Sequence, residues 1–324
     1  MKTITVASGK GGTGKTTLSA LLAHLSASSI RIAVADADVE ASNLPLALGF
    51  AHERSEVFEG GLTASIDPGR CMGCGACAAA CRFGAISSTD DVYRVDTIAC
   101  EGCTTCAFVC AVDAVTFSRD IAGSVSTGVS AVGPLAFGQL RPGHDLSGKL
   151  VTEVRSRASA LAAAHGAELL LIDGPPGTGC PAIASATGTD MVLAVAEPTY
   201  SGAHDLGRLE SLVTHLDVPM AAVLNKADLS SAGAERVRDL CAERCVPLVA
   251  EIPYDPALRD AMARMAEGRA VADTAIGRST AHAVATVWEW LRAALLSGPS
   301  LSVSSWATDA LEVGYDPRDS TLDR

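Results

Sequence analysis

The chain has 324 residues, of which 48% are hydrophobic and 19% charged, and its formal net charge is -12 at pH 7. This length allows one large domain plus a small one, and this apolar content excludes overall disorder. The negative charge argues against nucleic-acid binding, which requires clustered Lys and Arg. Neither a signal peptide nor an uninterrupted apolar stretch of membrane-spanning length is recognised, so we expect a cytoplasmic protein without stable membrane insertion.

The first predicted strand, Thr3–Ser8, leads into a glycine-rich loop that ends at Thr17. The loop reads G-x-x-x-x-G-K-T and precedes a helix with apolar residues spaced i, i+3, i+4 and i+7, which is the P-loop pattern. Its glycines let backbone N–H groups point at phosphate oxygens, while Lys15 lies between the β- and γ-phosphates. A glycine-rich turn without function is the alternative. The predicted nucleotide-binding residues of the loop are Gly11, Gly12, Thr13, Gly14, Lys15, Thr16 and Thr17.

Acidic residues follow two predicted strands. The buried-type strand Ile30–Ala35 leads into Asp36 and Asp38, whose carboxylates can hold the waters of Mg²⁺ and orient an attacking water. A helix cap or a turn is the structural alternative for each. Later in the chain, the apolar strand Leu169–Ile172 delivers Asp173, a pattern typical of the acid that holds Mg²⁺ in P-loop proteins. The predicted Mg²⁺ ligands are Thr16, Asp36 and Asp173.

Eight of the eleven cysteines lie between Cys71 and Cys110, in two copies of the spacing C-x2-C-x2-C-x3-C. Thiolates at this spacing wrap cubane iron–sulfur clusters, and two such runs in tandem are typical of bacterial two-cluster ferredoxins. The repeat extends beyond the cysteines, because Asp67 and Asp96 each precede a first cysteine by four residues. We therefore expect a short strand entering and leaving each cysteine loop.

In such tandem runs the fourth cysteine ligates the other cluster. One 4Fe-4S cluster is therefore predicted on Cys71, Cys74, Cys77 and Cys110, and the other on Cys100, Cys103, Cys106 and Cys81. Disulfides and paired zinc sites are the alternatives, disfavoured by the lack of a secretory signal and by the spacing. The proline that usually follows the fourth cysteine is replaced by Arg82 and Ala111. We expect both clusters to be retained, with local rigidity or potential altered.

Strands and helices alternate in the rest of the chain, which predicts an α/β fold with a mostly parallel sheet covered by helices on both faces. Ligands of such sheets bind beyond the carboxyl ends of the strands. Asn225 directly follows a predicted strand, and its amide can contact a purine edge, with a turn as the alternative. Further strands are predicted at Met191–Ala196, Met220–Leu224 and Leu248–Ile252, and the clearest helices at Ala234–Glu243 and Ala283–Leu296.

This order of motifs resembles the MinD/ParA/Mrp group of P-loop ATPases, and more closely those members that carry an inserted two-cluster ferredoxin domain. Lys10 matches the early lysine of the group's deviant Walker A motif, while Asp36 and Asp38 match its first switch and Asp173–Gly177 its second. The resemblance covers residues 1 to about 296. It implies hydrolysis of ATP with Mg²⁺ and a nucleotide-dependent homodimer in which Lys10 reaches the partner's phosphates and Asp38 positions the water. The implied catalytic residues are Lys10, Lys15 and Asp38.

The chain is accordingly divided into a discontinuous ATPase domain at residues 1–59 and 119–298, an inserted ferredoxin domain at 60–118 and an acidic, disordered tail at 299–324. We expect nucleotide state to gate electron transfer through two 4Fe-4S clusters to a redox or cluster-accepting partner protein. An Mrp-type cluster carrier is one alternative, which the lack of cysteine in the tail disfavours. A positioning ATPase with a redox-sensing ferredoxin module is another.

Overall fold

The computed structural model describes residues 1–89, 92–264 and 276–296, so the predicted acidic tail lies outside the described residues. The chain forms two compact units. Unit 1 contains Met1–Ser55, Val125–Gln139 and the described residues from Ser147 onward, whereas unit 2 contains Glu56–Ser124 and Leu140–Leu146. No helix in the described part of the chain combines the length and apolar character needed to cross a membrane.

The strands of the described chain are β1 (Lys2–Ser8), β2 (Ile32–Asp36), β3 (Ala51–Ile66), β4 (Ile86–Thr89), β5 (Val92–Val95), β6 (Val115–Ser130), β7 (Gly133–Leu140), β8 (Leu169–Pro176), β9 (Met191–Ala196), β10 (Met220–Asn225) and β11 (Leu248–Ile252). The helices are α1 (Lys15–Ala27), α2 (Leu44–Ala47), α3 (Ala76–Ala80), α4 (Thr105–Phe108), α5 (Ser147–Ala164), α6 (Cys180–Ala186), α7 (Tyr200–His215), α8 (Ser231–Glu243), α9 (Pro256–Ala263) and α10 (Arg278–Leu296).

Nine of these strands form one sheet within the described residues, in the order β11-β10-β9-β1-β8-β2-β7-β6-β3. Every pairing from β11 to β7 is parallel. Two residues join β6 to its neighbour β7, a link short enough only for an antiparallel hairpin. The prediction of an α/β fold with a mostly parallel sheet is therefore confirmed.

Both faces of the sheet are buried at its interior strand β9, as the alternation of side chains along that strand shows. Met191, Leu193 and Val195 pack in one core with residues of α1 and α10. The intervening Val192 and Ala194 pack in a second core with residues of α7 and α8. Because successive side chains of a strand point to opposite faces, an uninterrupted apolar strand requires cover on both sides.

Unit 2 contains two copies of the same order of secondary-structure elements. In the first copy, β3 leads into a cysteine loop, the single-turn helix α3 follows, and β4 leads away from it. In the second copy, the corresponding elements are β5, α4 and β6. The backbone is left-handed at equivalent positions of the two copies, with φ of 74° at Gly75 and 65° at Thr104. β4 and β5 pair antiparallel, with Ile86 opposite Val95. The outer strands β3 and β6 have 16 residues each, so the expectation of short strands is wrong for these two.

Candidate functional site

In unit 1, the polar residues singled out from the sequence meet at one edge of the sheet. The P-loop, Gly9–Gly14, links the carboxyl end of β1 to α1, while β2 ends in Asp36, β10 ends in Asn225, and Asp173 lies near the end of β8. These strands lie together in the order β10-β9-β1-β8-β2. Parallel strands bring their carboxyl ends to one edge, so residues as far apart in sequence as Thr13 and Asn225, 212 positions, form a single site.

Asp173 is the centre of this site and is completely buried. Its Oδ1 lies 3.3 Å from the Lys15 Nζ and accepts a hydrogen bond from the Ser19 Oγ at 2.9 Å. Its Oδ2 accepts a 2.6 Å hydrogen bond from the Thr16 Oγ1. Asp38 lies on the other side of the lysine, with its Oδ2 at 3.7 Å. Although burial lowers the pKa of Lys15, the charges of Asp173 and Asp38 outweigh it and hold that pKa above its usual value.

Asp36 is used differently from its neighbour Asp38. It is fully buried, its Oδ1 accepts from the Asp38 backbone N–H at 3.0 Å, and its Oδ2 accepts from the Ser42 Oγ and the Leu44 N–H. Burial, together with the nearby charge of Asp173, raises the pKa of Asp36 to about 7. Both of its oxygens therefore shape the turn after β2, whereas the Asp38 side chain is 15% exposed and faces the lysine.

Lys10 points to a different strand end. Its Nζ lies 3.2 Å from the Oε2 of Glu197, the residue after β9, and within hydrogen-bond distance of the hydroxyls of Thr199 and Ser201. The other Glu197 oxygen lies 2.6 Å from the Lys226 Nζ. The pKa of Glu197 is lowered, because hydrogen bonds and charge from Lys226 and Lys10 outweigh the opposing effect of burial. The Glu197 carboxylate thus binds both Lys10, which is within the P-loop, and Lys226.

The end of β10 also holds the P-loop directly. The Asn225 Nδ2 donates to the Thr13 carbonyl at 2.8 Å, and the Lys226 Nζ donates to the Gly12 carbonyl at 3.1 Å. A Cβ at Gly14 would overlap the Asn225 amide. In this state the Asn225 amide contacts the loop, and its contact with a purine base stays a prediction.

The P-loop has the features of a phosphate cradle. Gly12 and Gly14 have φ of 81° and 91°, and an added Cβ at Gly11 or Gly12 would meet open space. The Thr13 Oγ1 is buried and has no hydrogen-bond partner within the described part of the chain. An unpaired buried hydroxyl is costly, so the loop fits a ligand rich in oxygen atoms, such as the phosphates of a nucleotide.

Unit 2 gathers the eight clustered cysteines around two pockets. The first cysteine pocket contains Cys71, Cys74, Cys77 and Cys110, and encloses about 330 Å³ including its mouth. The second cysteine pocket contains Cys81, Cys100, Cys103 and Cys106, and encloses about 340 Å³. Each pocket takes three cysteines from one repeat and the fourth from the other repeat, because each single-turn helix carries its last cysteine away from its own loop.

The remaining pocket walls are largely apolar. Ile66, Val115 and Tyr93 line the first pocket, and Ile86 and Phe117 line the second. Four sulfurs around an open space suit a polyatomic cluster whose irons each take one thiolate, and the apolar walls shield it from water. No group of three or more His, Cys, Asp or Glu side chains within the described ranges is gathered closely enough for a single metal ion.

Hydrogen bonding distinguishes some of these thiols from others. The Ala114 N–H donates to the Cys110 sulfur at 3.2 Å and lowers the pKa of that thiol. The Cys103 sulfur and the Thr105 Oγ1 are 3.5 Å apart, and this bond lowers the pKa of Cys103. Burial raises the pKa of Cys77 and, in the same way, that of Cys106. Bonds to sulfur favour the thiolate, which is the form that binds iron.

The other three cysteines lie outside the two pockets. Cys180 and Cys245 are exposed, whereas Cys241 is buried among the residues that cover one face of the sheet. Burial raises the pKa of Cys241 to about 12. Cys241 lies on α8, whereas Cys245 lies beyond the end of that helix at Glu243.

Sequence reasoning did not assign a role to Ser19, Glu197 or Lys226. Ser19 lies one turn after Lys15 on α1, on the helix face that carries Lys15 toward the strand ends, and this spacing is the available signal. Glu197 directly follows β9, while β2 ends in Asp36 and Asp173 lies near the end of β8, so an acid at a strand's carboxyl end is the available signal. Lys226 follows Asn225 directly, where its long side chain reaches back to the P-loop.

The sequence matches the family described as CobQ/CobB/MinD/ParA nucleotide binding domain over residues 4–267. Two proteins of Methanocaldococcus jannaschii, the uncharacterized proteins MJ0578 and MJ0579, are also similar. The first is 35% identical over 229 residues, which are 70% of this chain and 79% of that protein. The second is 30% identical over 234 residues, which are 71% of this chain and 82% of that protein.

Solved structures share the fold. The cell division ATPase MinD of Pyrococcus furiosus has a TM-score of 0.51 and 22% identity, and the match covers 89% of this chain and 97% of that one. The septum site-determining protein MinD of Pyrococcus horikoshii, complexed with Mg-ADP, has a TM-score of 0.53 and 19% identity, covering 92% and 97%. The family match extends over most of the chain. The protein therefore belongs to the CobQ/CobB/MinD/ParA family of nucleotide-binding domains.

Proposed function

We propose that this protein is an ATPase in which the binding and hydrolysis of Mg-ATP in unit 1 gate electron transfer through two 4Fe-4S clusters in unit 2. The observation that carries the proposal is the pair of pockets, each lined by four cysteines drawn from both repeats. The same chain has a P-loop in which a Cβ added at Gly11 or Gly12 would meet open space. The buried Thr13 hydroxyl of this loop has no hydrogen-bond partner among the described residues. The electron acceptor or donor is a partner protein.

In unit 1, the proposed nucleotide chemistry uses charged side chains that are already in contact with one another. Lys15 lies between Asp38 and Asp173, and exchanges part of this contact for phosphate oxygens when nucleotide binds. Thr16 and Asp173, which are hydrogen-bonded to each other, would hold Mg²⁺ together with Asp36, whose oxygens also fix the turn after β2. Bound Mg²⁺ neutralises charge on the transferring phosphoryl group. Asp38, the more exposed acid, orients the attacking water.

The fixed lysine contacts suggest how a second subunit takes part. In the single chain, Lys10 is held by Glu197 and by the Thr199 and Ser201 hydroxyls. In the proposed nucleotide-dependent homodimer, Lys10 leaves these residues and reaches the phosphates of the other subunit. A cation that arrives only in the dimer favours the charge that develops during phosphoryl transfer. Hydrolysis is therefore tied to assembly.

In unit 2, the eight pocket cysteines hold the clusters and the apolar walls exclude water. Each bound cluster supplies reversible one-electron transfer. The Ala114 N–H bond to the Cys110 sulfur draws negative charge from that ligand, which favours the reduced form. The same pocket residues serve a cluster carrier, so the two functions differ in whether the clusters stay bound.

Cluster binding is tested on protein purified without oxygen. We expect about eight iron and eight sulfide per chain, from two cubanes. Cys77→Ser and Cys106→Ser should each lose about half of the iron, from different pockets. Cys241→Ser is the matched control, because Cys241 is similarly buried but lies outside both pockets, and it should retain all the iron. Zinc in place of iron would contradict the proposal.

The gating is tested by the ATPase rate with clusters oxidised and reduced. Lys15→Gln should abolish hydrolysis and leave the iron content unchanged, because Lys15 belongs to unit 1. Different rates in the two redox states are expected, with iron retained through turnover. Equal ATPase rates in the two redox states, together with cluster reduction potentials that do not change when ATP binds, would contradict the coupling. Loss of iron to an apo acceptor during turnover would instead identify a cluster carrier.

A further inference from the structure

The two cysteine repeats differ in charge at the residue after the fourth cysteine. Arg82 follows Cys81 in the first repeat, and Ala111 follows Cys110 in the second. Because the fourth cysteines exchange pockets, Arg82 belongs beside the second cysteine pocket and Ala111 beside the first. The pockets also differ before the first cysteine, where Arg70 of the first repeat corresponds to Ala99 of the second. The Arg70 guanidinium donates to the carbonyl of Val112, a residue that lines the first pocket.

The Arg82 side chain is held in a defined place. Its guanidinium carbon lies 5.6 Å from the centroid of the Phe83 ring, within the range of a cation–π contact. Phe83 itself lines the second cysteine pocket, together with Cys81. Backbone position and ring contact both place this cation beside the second pocket.

Two acidic residues complete the comparison. Glu101 lines the second pocket and carries the opposite charge to Arg82, while its counterpart in the first pocket is Met72. In the first repeat Gly84 stands where the second repeat has Asp113, three residues after Cys110 of the first pocket. An acidic residue and a cation therefore accompany each pocket. The cations differ in place, because Arg70 precedes the first cysteine of its pocket, whereas Arg82 follows the fourth cysteine of the other.

Reduction adds one negative charge to a cluster, and a nearby cation stabilises that charge. We propose that Arg82 raises the reduction potential of the cluster held in the second cysteine pocket. This inference rests on the proposed function, because it requires both clusters. The cysteine spacing alone does not predict this effect, in which a residue of the first repeat changes the reduction potential of the cluster bound mainly by the second repeat.

The test is a reductive titration of the full chain with dithionite, followed by electron paramagnetic resonance. Dithionite is oxidised to sulfite as each cluster gains one electron, so two one-electron steps are expected. In Arg82→Gln one step should move to lower potential while the other stays. In Ala111→Arg the other step should move to higher potential. Arg82→Lys keeps the charge and should restore the original titration, and the Arg82→Gln shift should shrink in high salt.

The outcomes separate this inference from the function on which it rests. Both sites of substitution are exposed, so each variant should retain about eight iron per chain. Full iron content with an unshifted titration in Arg82→Gln would overturn the role of Arg82. Movement of the same step by Arg82→Gln and by Ala111→Arg would overturn the exchange of fourth cysteines. A parent protein without iron would refute the proposed function itself.

Discussion

The hydrogen bond from Ser19 to Asp173 offers a direct measure of how the site is held together. The two side chains are fully buried, and the Ser19 Oγ lies 2.9 Å from the Asp173 Oδ1. In Ser19→Ala the carboxylate oxygen loses this donor and keeps only the Lys15 ammonium at 3.3 Å. Water cannot replace the hydroxyl at a position without solvent access, so the lost bond is not compensated.

The expected cost is about 2 kcal/mol, since hydrogen bonds to charged groups contribute about 1.5–3 kcal/mol. The assay is urea unfolding of the nucleotide-free protein, followed by tryptophan fluorescence, to which the buried Trp288 of α10 in unit 1 contributes. With a denaturant dependence of about 2 kcal/mol per molar urea, the midpoint should fall by about 1 M.

Ser26→Ala is the matched control, because Ser26 is also buried and lies on the same helix. Its hydroxyl donates to the Leu22 and Ala23 carbonyls, which remain within the backbone bonding of α1. Its loss leaves no charged acceptor unpaired, so a cost of about 0.5–1 kcal/mol is expected. If Ser19→Ala is no more destabilising than Ser26→Ala, the buried carboxylate does not depend on its hydroxyl donor and the reasoning fails.

Three further predictions concern acid–base chemistry and stability. Cys241, whose pKa burial raises to about 12, should resist alkylation in the native protein while Cys180 and Cys245 react, as peptide mass mapping would show. Because the pKa of Asp36 is raised from 3.8 to about 7 in the folded state, its contribution to stability is present below pH 4 and lost as pH rises to about 7. Unfolding midpoints of nucleotide-free protein in a metal chelator should show this loss, and Asp36→Asn should reduce it. Asp255→Ala should cost about 1 kcal/mol in urea unfolding, because the carboxylate accepts from backbone N–H groups at the start of α9 and from Gly277 before α10. An unchanged midpoint would rule out that cap.

Local patterns predicted most elements of unit 1. The strands Met191–Ala196 and Leu248–Ile252 have the predicted bounds, and an apolar run between turn signals was enough to define them. β2 begins two residues later than predicted, because the Ile30 N–H bonds back to the Ser26 carbonyl and extends the end of α1. The hydrophobic pattern carries no signal for such a bond at a helix end, so the strand is predicted correctly but its first residue is not.

The candidate site was only partly predictable for a similar reason. Motifs identified Lys15, Thr16 and Asp173, since the chemistry of phosphate and Mg²⁺ requires those residue types at a strand's end. They did not identify Glu197, whose role depends on β9 lying between β1 and β10 and bringing its carboxylate to Lys10 and Lys226. Strand order is a long-range property that no single stretch of sequence contains.

The sequence by itself determined which atoms are available: eight thiols in two equal spacings, a glycine-rich loop with two lysines, and acids at strand ends. These follow from local backbone and side-chain chemistry. Only the tertiary structure decided which of them meet, because packing of distant strands sets those distances. It brought Lys15 between Asp38 and Asp173, held Lys10 on Glu197, and gathered each set of four cysteines around its own pocket.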